Sequence, residues 1–250
     1  MILHLPHAAT AVPDPAGYLV DEETLQAEIT LLTDHRTDDL FAHPSALPIR
    51  ADFSRVFCDV ERFADDDQEE MAAVGMGVLY ERLDSGEPLR HVTPDLREAV
   101  LRKHYRPHHA RLTAAVDAEL QATGRALIVD GHSFASTPFR RDKSKRLPRP
   151  DFNLGTDAFH TPAYLVEASE AFFAERGYSL GIDWPYDGAL VPLKHFRKTR
   201  SVAAVMLEVN RALYLEEPGP QKSARYDETA AVVRDYLTAI REAFARRSAA

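Results

Sequence analysis

Two kinds of apolar run alternate along the chain. Short stretches carry apolar residues at most positions, residues 2–5, 55–60, 126–130 and 202–207, and a weaker one lies at 179–183. Such runs predict strands, and the continuous ones at 126–130 and 202–207 predict strands buried on both faces. Longer stretches place apolar residues at helical spacing: residues 24–32, 95–105, 109–121, 162–176 and 227–246. These predict helices, with a further helical start at Thr33. Pro107 is expected to separate the second and third of them, and Gly124 and Gly177 to stop the helices that precede them. Residues 140–157, rich in Pro, Arg and Lys, read as a surface loop, with Pro148 and Pro150 breaking any regular element. Strands alternating with helices predict an α/β fold. No internal repeat and no shift of composition divides the 250 residues, so one domain over residues 1–250 is expected.

Composition narrows the function classes. Hydrophobic residues make up 45% of the chain, enough for a full core, and 28% of residues are charged. A formal net charge of -9 argues against a nucleic-acid backbone as partner. The one basic stretch, residues 140–149, has no aromatic residues among its charges and reads as solvated. The single cysteine, Cys58, sits in an apolar run and is expected to be a buried, inert thiol. The first residues are too short and too interrupted an apolar run for a signal peptide, and no run approaches the roughly 20 residues that span a bilayer. A cytoplasmic protein is the expectation.

Three polar residues stand at or just past the ends of predicted buried strands: His7, His132 and Glu208. In open α/β sheets the carboxyl ends of strands border the ligand crevice, so residues distant in sequence can converge there. Two imidazoles and a carboxylate suit zinc with an open position for water. Zinc would lower the pKa of that water to roughly 7, and a carboxylate off the metal could take its proton. The acid of Asp130-Gly131-His132-Ser133 is placed to orient a ligand imidazole. From spacing alone, in a chain with 11 histidines, a structural role for each His stands open beside the metal reading.

A series of short motifs runs in order over most of the chain. They are Pro6-His7-Ala8, Thr33-Asp34, Ser54-Arg55 with Asp59-Val60-Glu61-Arg62-Phe63, and Tyr105-Arg106-Pro107-His108-His109. Asp130-Gly131-His132-Ser133, Asn153-Leu154-Gly155-Thr156, Trp184-Pro185-Tyr186-Asp187-Gly188 and Leu207-Glu208-Val209-Asn210-Arg211 follow. In this order they resemble the N-formylglutamate amidohydrolase family. The resemblance implies a zinc-carboxypeptidase-like (phosphorylase/hydrolase-like) fold, a mixed α/β sheet flanked by helices. It also implies one zinc ion per chain and hydrolysis of the formamide of N-formyl-L-glutamate to formate and glutamate, late in one route of histidine breakdown.

Carried over residue by residue, the resemblance makes His7 the first zinc ligand and His132 the last. The acidic ligand is less fixed. The wider superfamily places a carboxylate three positions after the first histidine, where this chain has Thr10. Asp34 is the candidate and Asp38 the alternative, and an acid in a first helical turn is the bland reading of Asp34. Glu208 is implied as general base, against a structural ion pair with Arg211. Arg55 takes the oxyanion role and Arg62 the substrate carboxylate, as planar bidentate donors. Glu61 stands where the superfamily more often has Asn, a departure that bears on the preferred substrate. His109 either touches substrate or packs a helix, and Asp187 is assigned to the substrate pocket. The expected partner is a small anionic substrate. Two rivals remain: a paralogue acting on another N-acyl amino acid, and a binding module that has lost the metal.

Overall fold

The computed structural model describes residues 1–246. Among these residues six strands form one mixed sheet: β1 (Ile2–Leu5), β2 (Leu47–Arg50), β3 (Ala126–Phe134), β4 (Phe152–Gly155), β5 (Leu180–Ile182) and β6 (Val202–Asn210). Their order is β2-β1-β3-β6-β4-β5. β2, β1, β3 and β6 are mutually parallel, while β4 runs antiparallel to β6 and parallel to β5. The helices are α1 (Glu22–Leu32), α2 (Thr37–Leu40), α3 (Pro94–Val100), α4 (Arg106–Thr123), α5 (Ala163–Glu175) and α6 (Tyr226–Arg246). None is long and apolar enough to cross a membrane.

The continuous apolar runs are the central strands, and all nine residues of both β3 and β6 are buried. Because side chains alternate along a strand, each run divides between two cores. Leu127, Val129, Val205 and Leu207 pack with the residues of α5 and α6. Ala126, Ile128, Val202 and Ala204 pack with Leu112, Ala115 and Val116 of α4. Further along the second face come Asp130, His132, Met206 and Glu208, so the α4 side of the sheet changes from apolar to ionisable toward its carboxyl end.

Four sequence expectations are corrected here. Residues 55–60 form no strand. The N–H groups of Phe57 and Cys58 both donate to the carbonyl of Ser54, and that of Asp59 to Val78. The run is apolar because this turn is enclosed by residues 51–105 and α1, in two further hydrophobic clusters, and enclosure needs no alternation. Pro107 does not separate two helices. The chain stays helical from α3 through a π turn (Leu101–Tyr105) into α4, with the Arg106 N–H reaching Leu101. The wide turn absorbs the donor that proline lacks. No helix starts at Thr33, which ends α1 in an extended conformation; α2 begins at Thr37. Finally, the expected surface loop at 140–157 contains β4, wholly buried, and its Arg149 is buried too. Two apolar residues in a four-residue strand gave no readable period. Cys58 is buried, as expected.

Gly155 ends β4 where the chain passes closest to the 187–188 loop. A Cβ there would lie 2.3 Å from the Gly188 carbonyl oxygen and 2.4 Å from Met206 Cε. Gly155→Ala is expected to lower stability by about 1–3 kcal/mol through overpacking, read as a lower midpoint in urea unfolding at unchanged slope.

Candidate active site

The sheet register builds the site. His132 lies directly across from Glu208 on the paired strands β3 and β6, and His4 across from Asp130 on β1 and β3. His7 follows β1 by two residues. The segment after α1 is fixed to it, because the Asp34 N–H donates to the His7 carbonyl at 3.0 Å. The Asp34 carboxylate then stands between two imidazoles, with Oδ2 3.1 Å from His132 Nδ1 and 3.6 Å from His7 Nδ1. One donor atom from each of these three buried residues lies within 4.8 Å of the others.

Each member of the trio is held from behind. His7 Nε2 is 2.9 Å from Asp59 Oδ1, which leaves the His7 Nδ1 lone pair facing Asp34, buried and without a hydrogen-bond partner. Asp59 also accepts from Tyr80 Oη at 2.7 Å and Arg55 Nη2 at 3.0 Å, and Arg62 Nε lies 3.7 Å away. Arg211 donates to the second oxygen of Asp34 at 2.9 Å, to Ser133 and to the Leu31 carbonyl. It therefore braces Asp34 and does not pair with Glu208. His132 Nε2 lies 3.1 Å from Glu61 Oε1 and 3.2 Å from Asp130 Oδ1. Asp130 in turn binds His4, whose other nitrogen is 2.8 Å from His108.

The electrostatics follow from five carboxylates crowded around three guanidinium groups. Burial alone would raise Asp34, but His132, His7 and Arg211 hold it well below the usual carboxylate range. Asp59 is likewise held low, against burial, by His7, Arg55 and Arg62. Burial disfavours charge on His132, yet Glu61 and Asp130 hold its pKa well above the ordinary imidazole value. Glu208 behaves oppositely. Burial pushes it up to about 8 against the pull of His132, with Asp34 and Glu61 adding to the rise. Its Oε2 is buried and unpartnered.

The donor set fits a metal ion. Two imidazoles and one carboxylate converge, His7 through a buried Nδ1 that has no hydrogen-bond partner, and the outer edges of both rings face carboxylates, the arrangement that fixes a ligand tautomer. Asp59, Glu61 and Asp130 with Asp34 and Glu208 exceed Arg55, Arg62 and Arg211 by two formal negative charges, which a dication offsets. Asp38 lies apart, about half exposed and 3.7 Å from Arg50.

The other sequence candidates fall around this centre. Arg55 uses Nε on Tyr80 and Nη2 on Asp59, and lines the inner cleft of about 210 Å³ together with His7, Asp34, Glu61, Arg62, His132 and Glu208. His109 is outside this cleft. Burial lowers its pKa to about 4, so the neutral ring donates from Nε2 to the Val60 carbonyl at 2.8 Å, beside Glu61. Asp187 is exposed and lines both the cleft and an adjoining chamber of about 420 Å³. Sequence reasoning did not assign Asp59, His4 or Tyr80 a place here, and it read Glu61 only as a departure bearing on the substrate, not as a partner of His132. Asp59 and Glu61 sat within a quoted motif, and the odd polar residue inside the β1 run could have marked His4.

A sequence model of N-formylglutamate amidohydrolase matches residues 1–215. The crystal structure of N-formylglutamate amidohydrolase from Ralstonia eutropha JMP134 superposes with a TM-score of 0.84 at 25% identity, covering 100% of this chain and 94% of that one. That of the gene product Atu2144 from Agrobacterium tumefaciens superposes with a TM-score of 0.68 at 18% identity, covering 99% and 91%. No curated protein matches the chain. The fold, the order of the motifs and the match over residues 1–215 agree: the chain belongs to the N-formylglutamate amidohydrolase family.

Proposed function

We propose that the protein hydrolyses the formyl amide of an N-formyl amino acid, giving formate and the free amino acid, with one divalent metal ion, zinc by its donor set, held by His7, Asp34 and His132. The observation that carries this reading is the convergence of His7 Nδ1, Asp34 Oδ2 and His132 Nδ1 beside a carboxyl group, Glu208, whose raised pKa suits proton transfer. When bound, zinc supplies a Lewis acid and lowers the pKa of water to roughly 7.

The chain's own groups do the rest. Glu208 accepts the proton of the attacking water and delivers it to the departing nitrogen. It can do both because no cation is paired with it and its Oε2 is buried and unpartnered. Arg55 presents its remaining guanidinium face to the developing oxyanion, braced by Tyr80 and Asp59. Arg62, about 22% exposed at its side chain, takes the substrate carboxylate. Asp59 keeps His7 in the tautomer that turns Nδ1 inward. His109 serves through Val60, as a positioning residue for the Glu61-Arg62 pair, and Asp187 borders the substrate path.

Metal analysis of protein purified without added metal is expected to give one zinc per chain, with formate release from N-formyl amino acids lost on chelation and restored by zinc. Because Glu61 and Asp130, against burial, hold the pKa of His132 well above the ordinary imidazole value, zinc binding at pH 7 should release about one proton, measurable by calorimetry in buffers of different ionisation enthalpy. Zinc uptake with no proton release would remove His132 as a ligand.

Glu208→Gln should keep zinc and lose turnover by about 10²–10⁴-fold. It should also stabilise the metal-free protein at alkaline pH. A carboxyl group raised from 4.5 to about 8 contributes stability below its unfolded value and loses it as pH rises through 8. The variant is thus expected to exceed the parent by about 1–3 kcal/mol at pH 8, with the gap closing toward pH 4.5 in parallel denaturation curves.

Arg62→Ala should raise KM far more than it lowers kcat; steady-state kinetics showing an unchanged KM would remove Arg62 from substrate binding.

A further inference from the structure

His132 turns Nδ1 to Asp34, and its other nitrogen faces a different set of donors. Nε2 lies 3.1 Å from Glu61 Oε1 and 3.2 Å from Asp130 Oδ1. His4 Nδ1 completes the group, 2.7 Å from the same Asp130 oxygen and 3.6 Å from Glu61 Oε1. One donor atom each from His4, Glu61 and Asp130 lies within 4.8 Å of the others. Zinc bonds of about 2.0–2.1 Å at tetrahedral angles place ligand atoms about 3.3 Å apart, and the four distances above bracket that spacing.

His132 Nε2 and Glu61 Oε1 are both buried and, among the described residues, have no hydrogen-bond partner. They are near enough for a hydrogen bond and not aligned for one, as ligand atoms are when they point at a common centre. The His132 side chain is only 4% exposed. Each residue is also held from outside. His4 Nε2 is 2.8 Å from His108 Nε2, which keeps Nδ1 turned inward. Asp130 Oδ2 accepts the Leu190 N–H at 3.3 Å, and the Glu61 N–H donates to Asp59 at 3.0 Å. His4 stands across from Asp130 in the sheet register, and His132 follows on the same face. Glu61 and Asp130 also line the chamber of about 420 Å³, which gives an ion its path in.

We propose that His4 Nδ1, Glu61 Oε1, Asp130 Oδ1 and His132 Nε2 form a second divalent-cation site, joined to the first through the ring of His132. Two imidazoles and two carboxylates suit zinc or a neighbouring first-row ion. Four protein ligands close the site, so the ion is structural in kind and ties the segment carrying Glu61 to β1 and β3. It displaces the ring protons of His4 Nδ1 and His132 Nε2, two charges for two, and leaves the net charge of the centre unchanged. Because it must also break the 2.7 Å contact between His4 and Asp130, it binds after the first ion and is lost in purification without added metal. The site does not depend on which amide the protein cleaves.

The test is a zinc titration of chelator-stripped protein, followed by calorimetry and by metal analysis after gel filtration. The parent is expected to take up two zinc ions per chain in two steps. Glu61→Gln, which keeps the side chain's shape, and His4→Phe should each lose the weaker step and keep the tighter one. Asp34→Asn should lose the tighter step and keep the other. A parent that saturates at one zinc overturns the proposal, and so does a second ion that survives both Glu61→Gln and His4→Phe. If Asp34→Asn removes no zinc while Glu61→Gln removes one, the site at His7, Asp34 and His132 falls and this one stands. Copper(II) reads the shared ring, because two such ions joined through one imidazole couple antiferromagnetically. The electron paramagnetic resonance signal of the parent should rise over the first equivalent and fall over the second, and that of Glu61→Gln should rise and stay. A parent signal that doubles overturns the shared imidazole.

Discussion

Asp59 is inaccessible to solvent, and a buried carboxylate is tolerable only when its charge is met on every side. Here His7, Arg55, Tyr80 and the Glu61 backbone N–H all converge on it. That one requirement joins the turn-rich region of residues 51–105 to the sheet. It fixes the tautomer of His7 and spends one arm of Arg55. It also sets the direction of the backbone into Glu61 and Arg62, which border both the inner cleft and the adjoining chamber. Removing the carboxylate would leave two guanidinium groups beside an unheld imidazole.

The same logic extends across the centre. Asp34 is answered by Arg211, Asp130 by His4, and His132 by Glu61 and Asp130. Glu208 is the exception, a carboxyl group with no cation of its own, and its proton affinity is raised accordingly. Structural acids and the candidate proton carrier are thus distinguished by their partners and not by their depth, since all are buried. His4 and His132 answer the same surplus of carboxylates: although burial disfavours their charge, Asp130 and Glu61 raise the proton affinity of both rings.

Much of this was legible in the sequence for a physical reason. β3 and β6 are buried on both faces, so their first residues read as continuous apolar runs, and the ionisable residues toward their carboxyl ends stand out: Asp130, His132 and Glu208; His7 stands out just past the shorter run of β1. The choice between Asp34 and Asp38 was not legible, because it depends on a backbone hydrogen bond from Asp34 to His7 that no spacing encodes. Residues 55–60 misled because enclosure inside a turn produces the same apolar run as a strand. β4 was hidden by its length and by the prolines before it. Pro107 misled because a π turn lets a helix carry a proline that an unbroken α ladder would reject.

The facing positions of His132 and Glu208 have a further consequence. Both sit deep within long paired strands, where a displacement of one residue reverses which face a side chain points to. Their mutual placement therefore has no graded errors: a single-residue insertion earlier in β3 or β6 would send one group into the helix-packed core and leave the other behind. Change at this centre can come by exchanging side chains or reshaping the loops around them, while the lattice that spaces the two groups admits only whole steps of two residues.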